Sequence, residues 1–262
     1  MKLSISNIAW SAQDDQEMYG YLSQEGFGLE IAPTRIFEND PYGDLKKAIQ
    51  FKKELEAEYG FSISSMQSIC FGRHEAIFGS EEERKAIFDY TKKAIDFASA
   101  INCNNLVFGS PKNRIIGENQ MEIAHDFFKG LGEYAQSKNT IMAIEANPEI
   151  YGTNFINTTQ EAFDFVKEIK CSGLLVNVDL GTILNNNESL DIVEKNLNLV
   201  NHIHISEPYL ERIVPRKMHE DLSEMLVQNK YDKYVSIEMK NQNSIELVRE
   251  TANYVKSIFY AK

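Results

Sequence analysis

Short apolar segments alternate with amphipathic segments along the whole chain, and this alternation restricts the fold more than any other feature of the sequence. The apolar segments have the length and pattern of buried strands, and the segments between them carry apolar residues on a helical period. Eight strands in 262 residues give a repeat of about 33 residues, the size of one strand with its crossover helix. The predicted strands are 3–9, 28–32, 62–67, 105–109, 141–146, 174–179, 202–206 and 234–238.

The segments between these strands predict eight helices. Residues 83–100 place apolar side chains on a 3.6-residue period, and the last helix, from about Ser244, does the same. Thr158 is followed by Gln160 and Glu161, which is typical of a helix start. We expect His125, in a further helical segment, to lie on the outer ring of helices.

Strict alternation of strands and helices permits an open, doubly wound sheet or a closed barrel. An open sheet that binds a nucleotide would carry a glycine-rich loop after its first strand, whereas residues 7–12 contain no glycine. The chain also lacks a linker or a shift in composition that would divide it. The sequence therefore predicts a single α/β domain over residues 1–262, a (β/α)₈ TIM barrel.

Charge and composition exclude several classes of function. The formal net charge is −12, and no basic cluster is present that could displace counterions from phosphates, so we expect no nucleic-acid partner. No apolar run reaches 18 residues, so we expect no membrane span. The N-terminus starts in a strand pattern, and the three cysteines form no CxxC pair, which together predict a cytoplasmic protein.

Four strands in the second half of the chain end in residue types that bind metals. Glu145, Asp179, His204 and Glu238 are separated by 34, 25 and 34 residues, each close to one βα repeat. In a barrel, equivalent strand ends meet at the C-terminal rim, where active sites of this fold lie. Three carboxylates and one imidazole favour one divalent ion, with Mn²⁺ preferred and Mg²⁺, Co²⁺ or Zn²⁺ as alternatives.

The residues two positions earlier on these strands share the face of the four ligands. They are Ala143, Asn177, His202 and Ser236. A purely structural barrel would have branched apolar residues in that layer. We therefore expect Asn177, His202 and Ser236 to orient the ligands through hydrogen bonds.

The ligand positions lie in four short motifs: IEANP at 144–148, NVD at 177–179, HIHISE at 202–207 and VSIE at 235–238. In these motifs the chain resembles the sugar phosphate isomerase/epimerase family of xylose-isomerase-like TIM barrels, in particular the D-tagatose 3-epimerase-like branch. The resemblance implies that Glu145, Asp179, His204 and Glu238 bind one divalent metal, and that the two glutamates flank the reacting carbon of the substrate. Two positions depart from the family pattern: Thr182 stands where many of its epimerases have a histidine, and Leu210 where they often have an arginine.

The function implied is a metal-dependent isomerase or epimerase that moves a proton next to the carbonyl of a ketose or sugar phosphate through an enediolate, with Glu145 and Glu238 as the catalytic acid and base. A homo-oligomer is compatible with the sequence. Weaker expectations for contacts with the sugar concern polar residues after strands or in rim loops. These residues are Glu30, Gln67, His74, Arg114, Glu207, His219 and Lys240.

Three alternatives remain open at this point. A metal-dependent dehydratase or lyase acting on a polyol or keto-inositol would use the same enediolate to expel a hydroxyl group. An endonuclease-type metallohydrolase on the same fold would need more histidine ligands than a chain with five histidines offers, and its substrate would be repelled by the net charge. The third alternative is a barrel that binds a ligand without catalysis.

Overall fold

The protein forms one closed barrel of eight parallel strands, each paired with the next and β8 with β1, in a computed structural model that describes residues 1–260. Every predicted strand is present, so the predicted fold class is confirmed. The strands are β1 (Lys2–Ser6), β2 (Gly28–Ile31), β3 (Ile63–Met66), β4 (Leu106–Phe108), β5 (Met142–Glu145), β6 (Leu174–Asp179), β7 (Val200–Ile205) and β8 (Tyr234–Ile237).

Within residues 1–260 the outer layer contains ten α-helices rather than the eight expected, because the β2–β3 and β6–β7 connections each hold two. The helices are α1 (Asp15–Glu25), α2 (Pro33–Ile36), α3 (Leu45–Tyr59), α4 (Glu81–Ala100), α5 (Met121–Ser137), α6 (Thr159–Ile169), α7 (Leu180–Asn186), α8 (Asp191–Lys195), α9 (Lys217–Gln228) and α10 (Ile245–Phe259).

Local hydrogen bonds explain where these elements begin and end. Thr158 and Glu161 form a capping box that starts α6, and Ser244 caps α10, both close to where the sequence predicts them. Strand β1 ends at Ser6 instead of residue 9, because the chain enters a 3₁₀ turn there. In that turn the side chain of Asn7 accepts a hydrogen bond from the backbone of Ala32 at 2.8 Å. The turn thereby fixes the end of β1 to the end of β2.

Successive side chains along each strand alternate between two environments, the helix layer outside the barrel and the lumen inside it. Apolar residues such as Ile5, Ile144 and Val178 face the helices and belong to one continuous hydrophobic core. The opposite face of the strands lines the lumen and is largely polar. Glu30 on β2 approaches His202 on β7 although β1 and β8 lie between those strands, so this contact crosses the lumen.

Register explains how residues of different strands reach one another inside the barrel. Glu145 pairs with Asn177, Asp179 pairs with His204, and His204 pairs with Ser236. Because the strands are staggered, Asn177 is level with Glu145, not one layer beneath it as the sequence predicts.

Among the helices of the described residues, none is long and apolar enough to cross a membrane.

Candidate metal centre

The barrel places the four predicted ligands at one point of its C-terminal rim. Glu145 and Asp179 are the last residues of β5 and β6, His204 lies next to the end of β7, and Glu238 directly follows β8. One ligand atom from each lies within 4.8 Å of the others. His204 Nδ1 is 3.1 Å from Glu145 Oε2 and 3.0 Å from Glu238 Oε2.

Hydrogen bonds hold the carboxylate of Glu145 in place at both oxygens. Asn147 Nδ2 donates to Oε1 at 2.9 Å, and Asn177 Nδ2 donates to Oε2 at 2.6 Å. Behind them, the fully buried Arg114 donates to the backbone oxygen of Glu145 at 2.7 Å and to Asn147 Oδ1 at 2.5 Å. Burial lowers the pKa of Arg114 to about 10, and Glu145 opposes this shift. The guanidinium therefore stays charged at neutral pH and supports Glu145 from the side of the protein.

Asp179 is held by the start of the following helix. Its Oδ2 accepts hydrogen bonds from the backbone N–H of Thr182 at 2.7 Å and from Thr182 Oγ1 at 2.9 Å, and Ser206 donates to Oδ1. Asp179 is thus both the N-cap of α7 and a member of the quartet. Thr182, a departure from the family pattern, has a defined structural partner here.

Carboxylates packed this closely are hard to ionise together. Burial raises the pKa of Asp179, and the charge of Glu145 raises it further. Burial also raises the pKa of Glu238, although His204 opposes the effect. Burial alone would lower the pKa of His204, but the charges of Glu238 and Glu30 raise it well above its usual value. A divalent cation would offset this concentration of negative charge, so the residues fit such an ion in number and chemistry.

A second group lies below the quartet in the lumen. His204 Nε2 is 3.1 Å from Glu30 Oε2, and His202 Nε2 is 2.9 Å from the same oxygen. Burial would raise the pKa of Glu30, but the neighbouring His204 and His202 lower it well below its usual value. Ser236 Oγ is 3.4 Å from Glu30 Oε1. Of the three residues expected to orient the ligands, Asn177 contacts Glu145 and His204, whereas His202 and Ser236 contact Glu30.

A cavity of about 190 Å³ opens above the quartet. Gln67 lines it, with its amide hydrogen-bonded to Ser6 Oγ at 3.0 Å. Tyr151, in the loop after β5, and Leu210, in the loop after β7, also line this cavity. Its lining residues are Gln67, Ser68, Val107, Gly109, Ser110, Pro111, Glu145, Asn147, Tyr151, Asp179, Leu210 and Glu238.

The other residues expected to contact the sugar lie elsewhere. Glu30 is inside β2 and fully buried beneath the quartet, not after the strand. Glu207 forms an ion pair with Arg216 at 2.6 Å. His219 is buried in the first turn of α9 rather than in a rim loop. Arg114, as described, lies behind Glu145, His74 is exposed beside a neighbouring surface pocket, and Lys240 is exposed and paired with Glu211.

The sequence interpretation missed several residues that shape the site. Asn147 lies two positions after Glu145 and shares its face, so the alternation that selected the ligands would also have indicated it. Ser206 stands in the same relation to His204. Gly109, whose missing side chain leaves room for Glu145, carries no signal of its own in a single sequence.

Comparisons with known proteins agree with this architecture. The family model described as xylose isomerase-like TIM barrel matches residues 25–258. A search of curated proteins finds no significant match.

Many solved structures share the fold. An apo 3-keto-D-glucoside 4-epimerase from E. coli is 18% identical, with a TM-score of 0.77, covering 98% of this chain and 99% of the other. D-psicose 3-epimerase with D-tagatose from Clostridium cellulolyticum H10 is 15% identical, with a TM-score of 0.77 and 99% of each chain covered. A D-tagatose 3-epimerase-like protein is 21% identical, with a TM-score of 0.75, covering 100% of this chain and 99% of the other.

Proposed function

Because the chain belongs to the xylose isomerase-like TIM barrel family, we propose that it is a metal-dependent enzyme that isomerises or epimerises a ketose or ketose phosphate. One observation carries the proposal: two carboxylates from different strands, Glu145 on β5 and Glu238 after β8, approach the same ligand atom of His204 and border the same cavity. A substrate carbon above the quartet would have an acid–base group on either side.

The ion would be held by Glu145, Asp179, His204 and Glu238, with Mn²⁺ preferred for a site of three carboxylates and one imidazole. When bound, it supplies a Lewis acid that polarises the substrate carbonyl and the neighbouring hydroxyl group. The remaining work belongs to the side chains. Gln67 and Asn147 line the cavity with amide groups suited to sugar hydroxyls.

The proposed reaction is a proton transfer in two steps. Glu238 removes the proton from the carbon next to the carbonyl, and the electron pair of the broken C–H bond moves to form an enediolate. Glu145, which enters this step protonated, then donates its proton to the opposite face of that carbon, giving the epimer, and exchange of both carboxyl groups with solvent restores their starting states. Donation to the adjacent carbon gives the isomer when the hydroxyl proton also passes from one enediolate oxygen to the other. In the reverse direction the two glutamates exchange roles. The bonds from Asn147 and Asn177 hold the Glu145 carboxylate in a fixed plane, which keeps it aimed at one face of the substrate.

A cytoplasmic location belongs to the same proposal. It is supported by the state of the cysteines, which are all free: Cys70 and Cys103 are buried, and Cys171 is half-buried. A small sugar is the proposed partner, since the cavity of about 190 Å³ has the scale of a small ligand and the formal net charge of −12 disfavours nucleic acid.

The experiment is hydrogen exchange in D₂O with protein loaded with Mn²⁺, over a panel of ketoses and ketose phosphates. We expect deuterium to appear at the carbon next to the carbonyl of at least one sugar, read by mass spectrometry after the metal is removed. Glu238→Gln is expected to abolish exchange from one epimer and Glu145→Gln from the other, because an amide cannot accept the proton. Metal occupancy is measured in each variant, so that loss of the ion is separated from loss of the base.

Glu149→Gln is the matched control, because Glu149 is an exposed acid on the loop after β5 and the charge change is the same. It is expected to retain exchange. A panel that shows no exchange with fully loaded protein would contradict the proposal. Loss of water from the substrate would indicate the dehydratase instead. Retained exchange in both glutamine variants would leave Glu145 and Glu238 as ligands without an acid–base role.

A further inference from the structure

Glu30 is a buried acid that contacts the candidate metal centre from below. It lies on β2, opposite β7, and its side chain is fully buried. Its Oε2 is 3.1 Å from His204 Nε2 and 2.9 Å from His202 Nε2. Glu30 is not one of the residues that line the cavity, so a sugar bound in that cavity does not contact it.

The two nitrogens of His204 face two different groups of acids. Nδ1 faces Glu145 and Glu238 in the quartet, and Nε2 faces Glu30. An imidazole can bind a cation through Nδ1 only when that atom carries no proton, and the proton of the neutral ring then resides on Nε2. The choice between the two tautomers is set by the hydrogen bond that the nitrogen remote from the ion makes.

We infer that Glu30 is a positioning residue for the metal centre. Its carboxylate accepts a hydrogen bond from the Nε2–H of His204, which leaves Nδ1 unprotonated and directed at the ion. This inference rests on the proposed function, because it assumes that the quartet binds a metal. It also assigns Glu30 a role different from the sugar contact that its sequence position suggested. Asn177 Nδ2 lies 3.2 Å from Nδ1, and because an amide NH₂ group only donates, it cannot accept a proton from that atom.

The same three residues, Glu30, His202 and His204, could in principle hold an ion of their own, since their ligand atoms also lie within 4.8 Å of one another. Two observations favour the positioning role. The three side chains are at most 1% exposed, whereas the quartet borders the cavity through which an ion would enter. His204 also belongs to both groups, so an ion at each would need the ring to lose both of its protons.

The first measurement is made on the unmodified protein, and the Glu30→Gln variant is compared with it only in the count of bound ions. Protein labelled with ¹⁵N-histidine is loaded with Zn²⁺, which is diamagnetic, and the tautomer of His204 is read from long-range ¹H–¹⁵N correlations. We expect the proton on Nε2 and the metal on Nδ1. Native mass spectrometry is expected to find one ion per chain. A proton on Nδ1, or a second ion that disappears in Glu30→Gln, would overturn the inference.

The second measurement is the affinity for Zn²⁺ and Mn²⁺, determined by competition with a chelator. Glu30→Gln is expected to weaken binding by about 10- to 100-fold, the usual effect of removing the partner of a ligating histidine. Glu188→Gln is the matched control, because Glu188 is a half-buried, hydrogen-bonded acid at the Asn186 turn, away from the quartet. It is expected to bind as the unmodified protein does.

The outcomes separate the inference from the proposed function. An unmodified protein that binds neither ion contradicts the proposed function. An unmodified protein that binds one ion, together with a Glu30→Gln variant that binds it equally well, contradicts only the role of Glu30. Thermal unfolding in chelator confirms that each variant is folded before its affinity is compared.

Discussion

Single residues determine how much room the side chains of the candidate metal centre have, and Gly109 is the clearest case. It follows β4, and a Cβ atom there would lie 2.9 Å from Glu145 Oε1 and 3.4 Å from Asn147 Oδ1. Those two atoms belong to the network that fixes the Glu145 carboxylate. A methyl group at this position would therefore displace Glu145, the proposed acid–base residue, without replacing any of the four candidate ligands.

We expect Gly109→Ala to lower the exchange rate at least tenfold, because a shift of the Glu145 carboxylate by a fraction of an ångström misplaces a catalytic group. The matched control is Gly20→Ala in the exposed middle of α1, where a Cβ would meet no heavy atom of the described residues within 4 Å. That change should stabilise the protein by about 0.5–1 kcal/mol, because alanine is the better helix former. Exchange kinetics and urea unfolding test both variants, and full activity of Gly109→Ala would contradict the prediction.

How far a single sequence predicts this site can also be argued residue by residue. The positions of Glu145, Asp179, His204 and Glu238 follow from strand ends and repeat spacing, since barrel geometry brings strand ends together. The contact between Glu30 and His202 could not be predicted from the sequence, because it joins β2 to β7 across the lumen and depends on register and side-chain length. The structural role of Thr182 appears only once α7 is seen to begin at Asp179.

At the level of elements, the contact between α9 and α10 contains a buried histidine. His219 in α9 is fully buried, and its Nδ1 is 2.9 Å from Tyr254 Oη in α10. Burial lowers the pKa of His219 to about 4, with Arg216 acting in the same direction and Glu207 opposing it. The sequence analysis counted this residue among those after strands or in rim loops, and the start of α9 has no side-chain cap that would indicate the helix.

This contact predicts a loss of stability in acid. An unfolded histidine takes up a proton near pH 6.5, whereas folded His219 does so only near pH 4, so the unfolded state binds more protons between these values. Stability therefore falls as the pH falls from 6.5 to 4. Between pH 7 and pH 5, His219→Gln should lose about 2 kcal/mol less of its unfolding free energy than the unmodified protein. Urea unfolding at both pH values in chelator measures this, and equal losses would refute it.

The elements themselves were the most predictable part of the fold. Strand positions can be predicted from the short apolar segments, because such segments are buried whichever conformation the neighbouring loops adopt. Helix number was less predictable, because α2 has four residues beginning at Pro33 and α8 has five, and both are too short to establish a period. Tertiary contacts, not local propensity, stabilise such segments.

For the whole molecule, the polar composition of the lumen links stability to metal binding. Barrels of this kind usually fill the lumen with branched apolar side chains. Here polar side chains pair within it, including Asn105 with Ser65 at 2.8 Å and Gln67 with Ser6 at 3.0 Å. The three carboxylates of the quartet add charge at its upper end. An ion bound there should stabilise the whole barrel.

We expect thermal unfolding to respond to metal. An ion at about 100 times its dissociation constant adds about 2.7 kcal/mol to the unfolding free energy, which corresponds to a rise in Tm of roughly 5–10 °C for a chain of this size. Differential scanning calorimetry with Mn²⁺ against chelator measures the shift. Asp179→Asn serves as the control and should reduce it. A Tm that none of Mn²⁺, Mg²⁺, Co²⁺ or Zn²⁺ raises would argue against the site.

The two halves of the barrel contribute different kinds of residue to the cavity wall. All four members of the quartet come from β5 to β8, whereas Gln67, Ser68, Ser110 and Pro111 come from the loops after β3 and β4. The four candidate ligands are thus encoded in the second half of the gene, and half of the residues that line the cavity are encoded in the first half. Under the proposed function, a loop exchange at residues 67–68 and 110–111 that keeps Glu30, Gly109 and Arg114 would alter which sugar is accepted without changing a ligand or its support, so this architecture is suited to divergence in specificity.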